Sequence, residues 1–149
     1  MGAALEQAAL GLEAGELPIG AVVVADGNVV AQSHWRAGDG LLAHPELVAL
    51  QRANRRDVTL VTTLEPCLLC MAAAMFQFVE RIVYALESPT DGGTRIGGVW
   101  DPAAGSVAPY RFPAVEAGVR RGESAQLVRE FLERFPGSRF APWARTLLY

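Results

Sequence analysis

The sequence predicts an α/β fold, a three-layer α/β/α sandwich around a mixed five-stranded sheet, and three observations carry the prediction. Short β-branched runs alternate with segments of helical pattern along most of the chain. A hairpin-type turn separates the first two runs, so the sheet begins antiparallel, while the later runs have helical or irregular stretches between them. Neither an internal repeat nor a linker long enough to divide the chain is visible, so 1–149 reads as a single domain, with about 136–149 as a C-terminal extension.

Taken in order, Ala3 to Ala14 reads as a helix ended near Gly15. Ile19–Ala25 and Val29–Ser33 read as strands joined by Asp26-Gly27-Asn28. Glu46–Asn54 continues a helix opened at Pro45, a position where the missing N–H is harmless. Val58–Thr63 is an apolar strand that enters a helix running from Cys67 to about Val79. That helix is apolar nearly all round, which predicts burial, with Met71, Met75 and Phe76 as core fillers. Arg81–Leu86 and Ala114–Val119 complete the strands, and Glu123–Phe135 is a helix with Leu127, Val128, Phe131, Leu132 and Phe135 as its buried stripe. Glu87 to Phe112 is irregular, with Asp91-Gly92-Gly93 and Gly97-Gly98 bracketing Arg95, and reads either as a surface connection or as a mobile wall of a substrate pocket.

Composition bounds the function. No apolar run reaches the roughly 18 residues of a membrane span, and no secretory leader is visible. A cytoplasmic location is the default expectation, with no membrane partner. The chain has no lysine, and thirteen arginines face sixteen acidic residues for a net charge of −3. A nucleic-acid binder usually carries a basic patch; the clusters Arg52, Arg55 and Arg56, and Arg120 with Arg121, read here as solvated surface.

Chemistry concentrates in His44-Pro45-Glu46 and, 20 residues past Glu46, Pro66-Cys67-Leu68-Leu69-Cys70. One imidazole and two thiols supply three zinc ligands, and Glu46 is a carboxylate that need not be a ligand. A structural zinc site is normally closed by four protein ligands, whereas a catalytic one keeps a position open for water. Pro45 and Pro66 would place two helix N-termini at one metal, an environment that favours anionic thiolates. Zinc lowers the pKa of a bound water to about 7, and Glu46 is placed to take its proton and return it to a leaving amine. Three other readings remain open at this point: a redox pair, a structural zinc site with a fourth ligand elsewhere, and two core thiols.

The motifs resemble the cytidine/deoxycytidylate deaminase superfamily, most of all the branch of bacterial tRNA adenosine deaminases and small guanine deaminases. The resemblance is carried by Leu17 to Val24, by Ala43-His44-Pro45-Glu46 and by Thr63-Leu64-Glu65-Pro66-Cys67-Leu68-Leu69-Cys70-Met71-Ala72, and it runs over roughly residues 3–135. It implies a cytidine deaminase-like fold, one Zn²⁺ per chain held by His44, Cys67 and Cys70, Glu46 as proton shuttle, and release of ammonia from an amine-bearing base. It also implies a homodimer. The pocket departs from the tRNA-editing pattern: the stretch Gln32 to Gly40 is short and has no asparagine, and His34 or Trp35 would take over base contacts. Pro66, Trp100, Trp143 and Tyr149 are further candidates for substrate contact, the last two as parts of an aromatic tail that closes over an active site. The reading favoured is a zinc-dependent hydrolase of a nucleobase, nucleoside or small heterocycle. Adenosine-to-inosine editing of tRNA is the alternative, and a non-catalytic zinc-stabilised partner subunit is the third.

Overall fold

A computed structural model describes residues 1–100 and 110–149. In chain order the elements are α1 (Gly2–Glu13), β1 (Gly20–Ala25), β2 (Asn28–His34), α2 (Pro45–Ala53), β3 (Thr59–Leu64), α3 (Leu68–Phe76), β4 (Arg81–Leu86), β5 (Ala114–Glu116), α4 (Arg121–Arg134) and α5 (Ala141–Thr146). The sheet order is β2-β1-β3-β4-β5, with β1 antiparallel to both β2 and β3, and β4 parallel to both β3 and β5. The expected mixed five-stranded sheet is therefore present. Asp26 and Gly27, both at positive φ, make the two-residue turn that returns β1 into β2.

Alternation along the strands builds the two outer layers. Ala21, Val23, Leu60 and Ile82 pack against Ala49 and Leu50 of α2 and Met71 and Ala74 of α3. Val22, Val61 and Val83, one residue out of step, pack against Ala4 of α1. On that same side Leu12 of α1 joins Val128 and Phe131 of α4 and Ala144 and Leu147 of α5. The C-terminal segment is thus packed into the body, where α5 shares its core with α1 and α4.

Four expectations change. The second ligand helix ends at Phe76, because Phe78 turns left-handed (φ 57) and the Val79 amide closes back on the Ala74 carbonyl. That helix is not buried all round: Met71 and Met75 are core residues, but Phe76 is 63% exposed and Leu68 55%, on a face turned away from the sheet. Phe76 stacks on Tyr110 instead, ring centroids 4.4 Å apart. The fifth strand stops at Glu116, short of Val119, where Gly118 (φ 78) breaks the extended run. In α4, Val128 and Phe131 are buried while Leu127, Leu132 and Phe135 are half-buried against the same cluster.

Gly20 sets how closely α1 lies on the sheet. A Cβ there would stand 2.2 Å from the Ala4 carbonyl oxygen and 2.5 Å from the Ala8 amide nitrogen, both backbone atoms that cannot swing aside. Gly20→Ala should therefore destabilise the fold by about 2 kcal/mol and lower the midpoint of thermal unfolding by about 6 °C.

Candidate active site and metal centre

Two helix starts meet beyond the C-terminal end of β3. His44 is the residue before α2 and Cys67 the residue before α3, both with extended backbone, and Cys70 follows in the first turn of α3. The three donor atoms, His44 Nδ1, Cys67 Sγ and Cys70 Sγ, form a triangle with every edge 3.5 Å. Donors bound at zinc–ligand distances of 2.0–2.3 Å in a tetrahedron stand about 3.5–3.8 Å apart, so the group fits that ion. They form a metal-ligating group that Glu46 does not join. Among the described residues no fourth histidine, cysteine or carboxylate completes that group, which leaves the position that a catalytic site keeps open.

The surroundings prepare the ligands for metal. The hydrogen bond with the Cys70 thiol pulls the Cys67 thiol down to about 4 against the effect of burial, with His44 adding to the pull. The same hydrogen bond and burial push Cys70 the other way. His44 is raised by its hydrogen bond with Cys67, against burial. A thiolate at Cys67 is thus already favoured before a cation arrives.

Glu46 stands one step into α2 and is 4% exposed. Thr62 Oγ1 donates to its Oε1 at 2.9 Å, and Cys70 Sγ lies 3.6 Å from Oε2. Burial raises the Glu46 pKa, partly offset by bonds from the backbone and from Thr62. The threonine is part of the design of the site: on a strand whose neighbours are apolar, Thr62 is fully buried and spends its hydroxyl on one oxygen of the carboxylate. Its neighbour Thr63 points the other way and accepts the Gly20 amide at 3.0 Å, while Ser124 of α4 donates to the Thr63 carbonyl at 2.7 Å.

A second buried carboxylate, Glu65, fixes the turn after β4. Its Oε2 accepts the Ser88 amide at 3.0 Å, and its Oε1 accepts the Thr94 amide at 3.2 Å and the Thr94 hydroxyl. Gly92 lies so close that a Cβ would come within 2.2 Å of Glu65 Oε2. The Gly93 amide donates to the Pro66 carbonyl at 2.8 Å, and Gly92 bridges to Cys67. Of the irregular stretch Glu87 to Phe112, Asp91 lines the cavity over the ligands, and residues 101–109 lie outside the described residues.

That cavity measures about 220 Å³ and has His44, Cys67, Glu46 and Glu65 among its polar lining and Trp35, Phe140 and Trp143 among its aromatic lining, with Leu17, Ile19 and Leu64 beside them. Trp35 meets His44 and Phe140 edge-on, at centroid distances of 5.5 and 6.0 Å. Its indole N–H is buried without a hydrogen-bond acceptor. Trp143 Nε1 donates to Thr90 Oγ1 at 3.2 Å, which ties α5 to the turn after β4.

Of the expected substrate contacts, Trp35 and Trp143 reach this cavity and His34, Pro66, Trp100 and Tyr149 do not line it. His34 faces α1: its Nε2 accepts from Arg36 Nε at 3.2 Å, so its Nδ1–H donates to Gln7 Oε1 at 3.2 Å. Burial, then Arg36 and Arg52, hold its pKa below the ordinary value. Pro66 gives only its carbonyl to Gly93, between cavity-lining neighbours. Trp100 is exposed and caps the short helix at Thr94–Gly98, and Tyr149 is 95% exposed beyond α5. Sequence reading missed Thr62, Glu65, Asp91 and Phe140; the available signals were two adjacent threonines inside an apolar strand and a glutamate next to the ligand proline.

In the metal-free protein, Cys67 should react with iodoacetamide down to about pH 5, because a thiol with a pKa of about 4 is ionised there and an ordinary thiol is not. Peptide mass mapping should find Cys70 unmodified under the same conditions and both cysteines protected once zinc is added.

The family described as the cytidine and deoxycytidylate deaminase zinc-binding region matches residues 1–86. A tRNA(Ile)-lysidine synthase of Deinococcus radiodurans is 41% identical over 140 residues, 87% of this chain and 23% of that protein. The chain thus spans about a quarter of the length of the lysidine synthases it matches. A tRNA-specific adenosine deaminase of Agrobacterium fabrum is 32% identical over 139 residues, covering 86% of this chain and 88% of that one. A solved structure from work on A-to-I editing by tRNA:A34 deaminases superposes with a TM-score of 0.73 at 32% identity, over 85% of this chain and 96% of the other. Among the described residues no helix is long and apolar enough to cross a membrane. With a mixed sheet of the cytidine deaminase type and a His-Cys-Cys group of zinc-binding geometry at its edge, this chain belongs to the cytidine and deoxycytidylate deaminase family.

Proposed function

We propose that the chain is a zinc-dependent aminohydrolase that removes an exocyclic amine from a nucleobase, nucleoside or related small heterocycle. One observation carries the choice of substrate: the cavity that holds the metal-ligating group and Glu46 is walled by Trp35, Phe140 and Trp143, and no arginine lines it among the described residues. Aromatic walls suit a planar, uncharged ring. The arginine clusters away from the cavity are occupied as well. Arg55 pairs with Asp26, Arg120 with Glu123 and Arg121 with Glu87, while Arg56 pairs with Asp57 and stacks on Phe78. Within these clusters, guanidinium groups already paired with carboxylates offer less to a phosphate backbone.

The roles of the residues follow from their placement. His44, Cys67 and Cys70 would hold the zinc ion, which supplies an acidified water as nucleophile. Thr62 holds Oε1 of Glu46, leaving Oε2 to take a proton from the attacking water. Glu46 delivers that proton to a ring nitrogen and serves the departing amine in turn. The carbon–nitrogen bond breaks, the water oxygen stays on the ring carbon, and ammonia leaves. A carboxylate whose pKa is raised by burial takes up and keeps a proton nearer neutrality than an exposed one, so it is present as an acid when the amine leaves. We also infer that 1–149 works as one unit in which the tail from about 136 is a lid over its own active site, since Phe140 and Trp143 line that cavity.

The second reading, adenosine deamination within tRNA, is favoured by the 32% identity that extends along 88% of the Agrobacterium adenosine deaminase. A panel of amine-bearing bases, nucleosides and an anticodon stem-loop, scored by ammonia release, separates the two. Small heterocycles should be turned over at least as fast as the stem-loop, and a stem-loop rate far above all of them would establish the second reading. Glu46→Gln should keep one zinc per chain and lose turnover by at least about 10³-fold, and retained turnover would remove Glu46 from its role. Truncation after Phe135 should raise KM about tenfold or more; unchanged affinity and turnover would dismiss the lid.

A further inference from the structure

We propose that Asp91 is a specificity-determining residue that reads an N–H donor on the edge of the substrate and turns away anionic, phosphorylated ligands. The inference rests on the small-heterocycle reading of the same cavity and names which members of that class it takes.

Asp91 is an exposed carboxylate on the cavity wall, at the apex of the turn between β4 and the short helix at Thr94–Gly98. It lies close enough to His44 to act on its charge, yet outside the metal-ligating group. Both of its hydrogen bonds fall on one oxygen: Oδ1 accepts from the Ser88 hydroxyl and from Thr90 Oγ1 at 3.2 Å. Among the described residues Oδ2 accepts nothing, so an acceptor remains for a ligand.

The position of this carboxylate is held from three sides. Glu65 grips Ser88 and Thr94, one at each end of the turn. Gly92 and Gly93 lock the turn to Cys67 and Pro66. Trp143 Nε1 donates to Thr90 Oγ1, whose own hydrogen goes to Asp91 Oδ1, so a chain of hydrogen bonds runs from the tail helix to the carboxylate. An acceptor fixed in this way discriminates by what the ligand presents: an N–H finds a charge-assisted bond, and a phosphate meets a like charge with no arginine in the lining to offset it.

The probes are purine and 2-aminopurine, which differ by one amine, used as competitors against the best monomeric substrate of the zinc-loaded protein, together with the nucleoside 5′-monophosphate that carries the same base. In the wild type 2-aminopurine should inhibit about 10- to 100-fold more tightly than purine, the worth of one charge-assisted hydrogen bond. Asp91→Ala should bring the two within about threefold of each other. Asp91→Asn, which keeps an acceptor and loses the charge, should admit the monophosphate at least about tenfold better. Zinc content should match the wild type in both variants, and so should the thermal midpoint of Asp91→Asn, which keeps an acceptor for Ser88 and Thr90; this separates recognition from damage. A 2-aminopurine to purine ratio that is the same in wild type and Asp91→Ala overturns the assignment of Asp91 alone. A wild-type protein that deaminates no monomeric base overturns the small-heterocycle reading itself, and this inference falls with it.

Discussion

Three donor atoms held 3.5 Å from one another, on two helices that start at the same point, are the constraint around which the rest of the molecule is arranged. Helix starts do not approach one another freely, because each presents unpaired backbone N–H groups and a partial positive charge. A cation placed between them would be unfavourable without anionic ligands, and here the ligand set includes two sulfurs, one of which is already shifted toward thiolate. The strand between the two helices does the positioning: β3 lies between β1 and β4, so its C-terminal end cannot move without breaking pairing on both sides. Thr62, Thr63, Leu64 and Glu65 then carry that rigidity outward, to Glu46, to α4, to the cavity and to the turn after β4.

Much of this was legible in the sequence because the metal ligands are close in the chain and chemically distinctive. A His-x-Glu and a Cys-x-x-Cys each fix local geometry on a helix start, and β-branched alternation fixes which face each strand buries. Thr62, Glu65 and Asp91 have no local pattern of that sort. The roles of Thr62 and Glu65 are set by partners 16 to 29 residues away, and a threonine in a strand is as often there for its shape as for its hydroxyl. His34 misled for the opposite reason: a polar residue after a strand suggests function, but here its ring is spent on Gln7 and Arg36. Phe76 misled because a helix that is apolar all round predicts burial on all sides, while the sheet can cover only one of them.

The tail shows how one segment can serve stability and selection at once. Ala144 and Leu147 belong to the core beneath α1 and α4, and Phe140 and Trp143, on the same short helix or at its start, face the cavity. Removing apolar area from water anchors the segment, and the anchored segment supplies the aromatic wall. The cavity wall in this chain is therefore built on parts that also hold the fold together.

The positions of these parts along the chain have a bearing on how the molecule is made. The metal-ligating group, Glu46 and the threonine bonded to it all fall between positions 44 and 70, on or at the start of consecutive elements α2, β3 and α3. Closing so short a segment costs little chain entropy, and local contacts form early in folding. Asp91, Phe140 and Trp143 emerge later and join only when the parallel strand β4 and the α4–α5 layer have docked. During synthesis the metal ligands are thus made before Asp91, Phe140 and Trp143, but β3 is held on both sides only once β4 has paired with it, so the ligand group and its later walls are fixed in the same docking step.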